Sequence, residues 1–329
     1  MKRTLLCIGL AALAGPAAAQ STVSISGVLK VAASHGNGGS TPIDGATQKG
    51  GAMNDLSSAL IFSGKEDLGG GNYAGFDLAS FLSVDNGNTW ASTGGPFYSR
   101  RSVVKLGGNW GELYLGRSLT PQQLMVLFAD PWYWDGGAAQ VGWQVQQANY
   151  TSTSFIRTNN TVGYISPKVG GLTLTLAYGM KEGAVDKDLG ASLTYDNGPL
   201  WLGLAHDRSH GFFKDPTTNS VTTVVGAYDF GAVRPLFSYT ASKVNGVSYK
   251  GWSLAATAPL GASGLLKAHY SQLDDVDTAT AAKEKLQKVG LGYVHSLSKR
   301  SNLFAHLAHA KAQTRTATNT VELGIEHSF

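Results

Sequence analysis

Two histidine groups are the first places to look for catalysis in this chain. His206, Asp207 and His210 fall together, and so do His306 and His309. A general base and the carboxylate that orients it must share a face. Adjacent residues of an extended strand point to opposite faces, so His206 and Asp207 are badly placed for that work. His306 and His309 differ in parity and do not form a strand-face metal pair. No strained nucleophile motif accompanies either group. The one cysteine, Cys7, lies in the amino-terminal apolar stretch. Beyond that stretch neither disulfides nor thiolate metal sites are available. No catalytic residue, metal or cofactor is expected.

The charged residues suggest a different chemistry. Arg100, Arg101, Arg117 and Arg157 can stand on a wall, with Asp130 and Asp135 on a segment facing them. Opposed charges across a narrow wet gap make a transverse field that orients polar solutes, and rings of charge set ion preference. Arg100 and Arg101 are neighbours, so strand geometry sends one inward and leaves the other for a rim or a subunit contact. Arg117 shares parity with Leu113 and Leu115, so it needs a bulge or a strand end to turn inward. Further charges opposite in parity to their apolar neighbours are Lys30, Lys65, Asp77 and Glu326, with Lys181, Lys267, Lys288, Asp188 and Glu322 beside them.

Such a gap needs elements that are apolar outside and polar inside, and the sequence has that pattern. Val23, Ile25, Gly27, Leu29 and Val31 alternate with Ser24, Ser26 and Lys30. Leu172, Leu174, Leu176 and Tyr178 alternate with Thr173, Thr175 and Ala177. The last ten residues, TVELGIEHSF, alternate to a terminal Phe329. A final strand with an open edge invites pairing with the first, which closes a barrel. Gly-, Pro-, Asn- and Asp-rich short turns such as Asp196–Pro199 and Ala258–Gly261 alternate with long polar connections at 35–55, 210–220 and 274–284. About sixteen strands are expected, a size at which the lumen holds water. The longest connection, Arg117 to about Phe155, is expected to fold inward, because a structureless loop of that length is usually functional.

Met1–Ala19 reads as a secretory signal, with Lys2 and Arg3 first, an apolar core, and Ala17-Ala18-Ala19 at the cleavage site. Residues 20–329 then form one barrel domain. Without Lys2 and Arg3, the 26 basic residues fall to 24 against 22 acidic ones, a net charge of 24 − 22 = +2. That balance asks for no nucleic acid partner. No apolar run after the signal is long enough for a membrane helix.

Several segments, in order, resemble the general porins of Gram-negative outer membranes, in particular the trimeric beta-proteobacterial group. They include Glu66-Asp67-Leu68-Gly69-Gly70-Gly71, RRSVVKLGGNW from Arg100 with Leu113–Arg117, NTVGYISP from Asn160, Gly226–Gly231, Leu297–Leu303 and the terminal GIEHSF. The resemblance implies a sixteen-stranded homotrimer in outer-membrane lipid. It implies insertion by the barrel assembly machinery through Phe329, and a second long loop latched onto a neighbour. The implied function is passive diffusion of ions and small hydrophilic solutes. Ala59 and Ser63 stand where that group has arginines. Gly163 stands where a basic residue is common, and Glu326 and Ser328 lie on a closing strand that is commonly basic. These departures point to weak ion selectivity. A substrate-specific channel, with Trp132-Tyr133-Trp134 as an aromatic slide, is the nearest rival; a barrel hydrolase and an adhesin are further away.

Overall fold

The strands show the two-residue period as two surfaces. Along Leu172–Gly179, Leu172, Leu174, Leu176 and Tyr178 are exposed, while Thr173 and Thr175 are half-buried and Ala177 is buried. The same holds elsewhere, with Leu323 61% and Leu254 56% exposed on the outer face. Large apolar side chains on the outside of a closed sheet suit hydrocarbon as solvent. In that solvent every backbone group must find its partner within the protein, which a closed sheet achieves.

The computed structural model describes residues 22–39, 49–55, 58–89, 95–140, 156–181, 187–210, 218–244, 247–274 and 284–329. The signal expected at 1–19 lies outside them. The first strands are β1 (Thr22–Asn37), β2 (Lys49–Asp55), β3 (Ala59–Gly69), β4 (Asn72–Phe81), β5 (Arg101–Gly108) and β6 (Gly111–Leu119). A helix, α1 (Pro121–Ala129), follows. Then come β7 (Arg157–Ile165), β8 (Leu172–Gly179), β9 (Asp188–Asn197), β10 (Leu200–His210), β11 (Thr218–Tyr228) and β12 (Arg234–Val244). The last are β13 (Val247–Leu260), β14 (Gly264–Asp274), β15 (Lys285–Ser296), β16 (Ser301–Ala312) and β17 (Thr318–Ser328).

Each strand pairs antiparallel with its neighbours. β1 pairs on one edge with β3 over Thr22–Val28 and with β2 over Val31–Asn37. β2 and β3 are therefore two halves of one strand, and the seventeen segments make sixteen barrel strands. On its other edge β1 pairs with β17, from Val28 opposite Ser328 to His35 opposite Val321. Gly27 and Phe329 exchange backbone N–H···O bonds of 3.1 Å in both directions, so the last residue takes part in closure. The Phe329 ring lies on the outer face. One rim carries the expected short turns, as at Gly198 (φ 59°) between β9 and β10. On the other rim the strands run further than the sequence suggested: the polar stretch 35–55 is strand at His35–Asn37 and again from Lys49. Glycine and polar side chains did not stop the ladder there, because antiparallel pairing of β2 with β1 continues through a bulge at Gly36.

Candidate pore constriction

The connection after β6 does fold inward, and its first part is helical. Thr120 caps α1: its side chain accepts from the Gln123 N–H at 3.2 Å, and Pro121 opens the helix. A threonine cap before a proline is a readable start signal that the sequence expectation of an irregular loop missed. The helix lies on the inner face of β9–β12. The Gln122 N–H reaches Asp207 Oδ1 and Oδ2 at 3.3 Å, and Gln122 Nε2 donates to Thr223 Oγ1 at 2.6 Å. Asp207 thus anchors a helix, while His206 on the opposite face bonds Thr222. His306 and His309 are divided in the same way, His306 inward and His309 outward against Asn319.

Beyond α1 the loop tip crosses to β13–β17 and β1. Trp132, 2% exposed, sits edge-on between His269 and His306, with ring centroids 5.4 and 5.8 Å away. Glu322 Oε1 accepts the Gly137 N–H at 2.9 Å, and Glu322 Oε2 lies 3.4 Å from His306 Nδ1. Lys267 donates to the Pro131 carbonyl at 2.8 Å, His269 Nε2 meets the Ala138 carbonyl at 2.8 Å, and Ser253 donates to Gln140 Oε1 at 2.7 Å. Lys30 Nζ meets Asp135 Oδ2 at 2.6 Å and Glu326 at 3.7 Å. Lys288 is buried behind the loop.

This geometry revises the role expected for the loop carboxylates. Asp130, 1% exposed, accepts the N–H groups of Trp132 (3.0 Å), Trp134 (3.2 Å) and Gln140 (3.0 Å). It folds the loop on itself and does not face the arginines. Burial pushes its carboxyl above the ordinary carboxylate range, opposed by those amides and by the charge of Lys288. Tyr133 and Trp134 hold left-handed backbone (φ 52° and 61°), a conformation non-glycine residues adopt at some cost, next to the Asp130 bonds that brace the turn. Asp135 faces the lysine of β1, and its charge also reaches Arg100. The loop's free face carries Phe128 and Tyr133, both exposed and edge to face at 6.4 Å.

The arginines gather on the other side, across β4–β7. Arg101 points inward with Asp77, 3.3 Å from its carboxylate, which Lys105 also meets at 2.8 Å. Arg100 was expected at a rim or interface if Arg101 faced the lumen. Instead it precedes the strand, is free of the alternation, and stacks on Phe81 at 5.3 Å. Arg157 stacks on the same ring at 5.1 Å and donates to the Arg100 carbonyl at 2.9 Å. Phe81 is on the lumen face, in phase with Asp77 and Ala79. A register shift does occur beside Arg117, but the extra residue belongs to β7. Thr161 to Thr158 is three steps against two from Gly116 to Ser118, and Asn160 takes φ 51°. Arg117 therefore stays opposite Ser102, and its guanidinium is held by the Ser99 carbonyl (2.9 Å) and Asn159 Oδ1 (2.6 Å). Arg157 feels the like charges of Arg117 and Arg100. Lys65 lies nearer the short-turn rim, 4.0 Å over the Tyr73 ring.

The uncharged departures have physical reasons. A Cβ at Gly163 would collide with the Tyr114 ring, so that position is already filled from β6. Ala59 is fully buried, and Ser63 bonds Ser24 at 2.8 Å.

A model of the Gram-negative porin family matches residues 6–315. Outer membrane porin protein 32 of Delftia acidovorans is 31% identical over 363 aligned positions that cover all of both chains. The solved anion-selective porin from Comamonas acidovorans is 28% identical with a TM-score of 0.81, covering 94% of this chain and all of its own. The trimer form of in-vitro folded OmpT, an outer membrane protein of Vibrio cholerae, shares the fold: TM-score 0.71 at 17% identity, over 94% of this chain and 99% of that one.

Proposed function

Because the chain belongs to the Gram-negative porin family, we propose that the channel it forms passes small hydrophilic solutes with a mild preference for anions. It is a water-filled outer-membrane channel for passive diffusion. The preference rests on one observation: Arg100 and Arg157 stack on the same lumen-facing Phe81 ring, within reach of each other's charge on one side of the bore, while the opposing loop pairs its Asp135 carboxylate with Lys30. A cation approaching that arc meets repulsion and an anion meets attraction. The preference is mild because Arg101 and Lys105 share Asp77, and Ala59, Ser63 and Gly163 add no charge. The relative described as an anion-selective porin supports this sign.

Planar bilayers under a salt gradient test it. The wild type should show an anion-favouring reversal potential, and Arg157→Gln should move that potential toward zero. A cation-favouring wild type, or an Arg157→Gln channel with an unmoved potential, sinks the assignment.

A homotrimeric assembly is part of the same proposal, supported by the trimer form of a protein with this fold. So are removal of Met1–Ala19 on export and recognition of Phe329 by the assembly machinery. The exposed Phe128–Tyr133 pair favours a second reading, in which solutes with an apolar face are held briefly at the constriction. Current block by a small aromatic carboxylate that a Tyr133→Ala channel escapes is its signature.

A further inference from the structure

Four inward-facing glycines lie beneath the loop. A Cβ on Gly190 of β9 would stand 2.5 Å from Asp207 Oδ1, which anchors the helix, and 2.6 Å from Pro121 Cδ; one on Gly203 of β10 would stand 2.5 Å from Met125 Sδ and 2.7 Å from Val225 Cγ2. A Cβ on Gly290 of β15 would drive into the Ala138 carbonyl oxygen and stand 2.5 Å from His269 Nε2, which bonds that carbonyl. One on Gly292 would stand 2.8 Å from Trp132 Cζ2 and 3.0 Å from His306 Cδ2. Two of these positions underlie the helix and two underlie the tip. Carbon atoms in contact sit at about 3.5–4.0 Å, so a methyl group at any of the four forces a displacement of roughly an ångström.

Something must then move, and the two sides differ in stiffness. β9, β10 and β15 are each held by backbone ladders on both edges. Over its described residues the loop is held to the wall by packing and by hydrogen bonds that involve side chains, with no backbone ladder. The yielding side is the loop, and the direction open to it is away from the wall, into the bore. We infer that these four glycines set the loop's stand-off from the wall, and through it the cross-section and solute size limit of the channel. They are positioning residues that never touch a solute. The inference rests on the channel reading and is independent of the arginine assignment: conductance and size limit test one, reversal potential the other.

Two paired substitutions decide it, each in full-length protein checked for the folded barrel by heat-modifiable gel mobility. Gly292→Ala should lower single-channel conductance by roughly a third and shrink the largest sugar admitted in liposome swelling, with the reversal potential unchanged. Adding Trp132→Phe, which removes the ring that carries Cζ2, should restore much of the loss. Gly203→Ala, relieved by Met125→Ala, repeats the test under the helix and carries it alone if the first pair does not fold. A conductance that falls in neither glycine variant, or a fall that the partner substitution leaves in place, overturns the inference.

Discussion

The two halves of this barrel's inner wall use charge in opposite ways. From β9 round to β1 the wall is covered by the loop, and its ionisable groups are buried under it: Lys288 and His306 at 2% exposure and Glu322 at 0%. Each has a loop or wall group to face, because a charge taken out of water without a partner is expensive. Across β4–β7 Arg100, Arg101 and Arg157 remain half-buried on the side away from the described part of the loop, with Arg100 and Arg157 stacked on Phe81. Ionisable groups are fasteners on the covered arc and, on the reading proposed above, field sources on the other. Chemistry alone does not distinguish a gating charge from a structural one in such a channel; whether the loop lies over it does.

The contrast can be broken most severely at Trp132. Trp132→Ala empties the socket between His269 and His306, and should weaken loop docking by about 3–5 kcal/mol. Hydrogen exchange should show the Gly137 amide losing protection while the strand amides keep theirs. Lys30→Met should rank next. It removes the cation 2.6 Å from the Asp135 carboxylate, whose side chain is 11% exposed, at a cost of about 2–4 kcal/mol. The channel should become noisier in single-channel records.

Charge removal on the open arc should act on permeation and not on loop order. Arg100→Gln with Arg157→Gln should lower the anion-to-cation permeability ratio two- to five-fold, the equivalent of about 0.5–1 kcal/mol for half-buried charges facing water. Lys267→Gln on the covered arc should leave that ratio nearly unchanged. Equal shifts from the two arcs would erase the distinction. The smallest effect belongs to Asp77→Asn, which releases Arg101 and Lys105 from a shared acid and should raise anion preference by less than about two-fold. Reversal potentials at low salt are the sensitive measure, since screening shortens the reach of such charges.

Much of this was readable from residue order. Alternation in Leu172–Tyr178 and in the final ten residues needs only a period of two, and that period follows from strand geometry whatever the strand pairs with. The inward parity of Lys30, Asp77 and Glu326 followed from the same rule, as did the separation of His206 from Asp207. The helix at Pro121–Ala129 is signalled locally by Thr120 and Pro121, a cap and an N-terminal proline. Asp130 could not be read correctly. Its role depends on the Trp132, Trp134 and Gln140 amides turning back toward it, and no local pattern encodes that return. Arg100 escaped the alternation because the strand begins one residue later, and Arg117 did not turn inward because the extra residue went into β7.

Residue order by itself settled that hydrocarbon-facing and water-facing side chains alternate around a closed antiparallel sheet, since both period and turn chemistry are local. Only the folded molecule decided which charges lie beneath the loop. That depends on where residues 120–140 come to rest, and their resting place is fixed by contacts between residues as distant in sequence as Lys30 and Asp135, or Gly137 and Glu322.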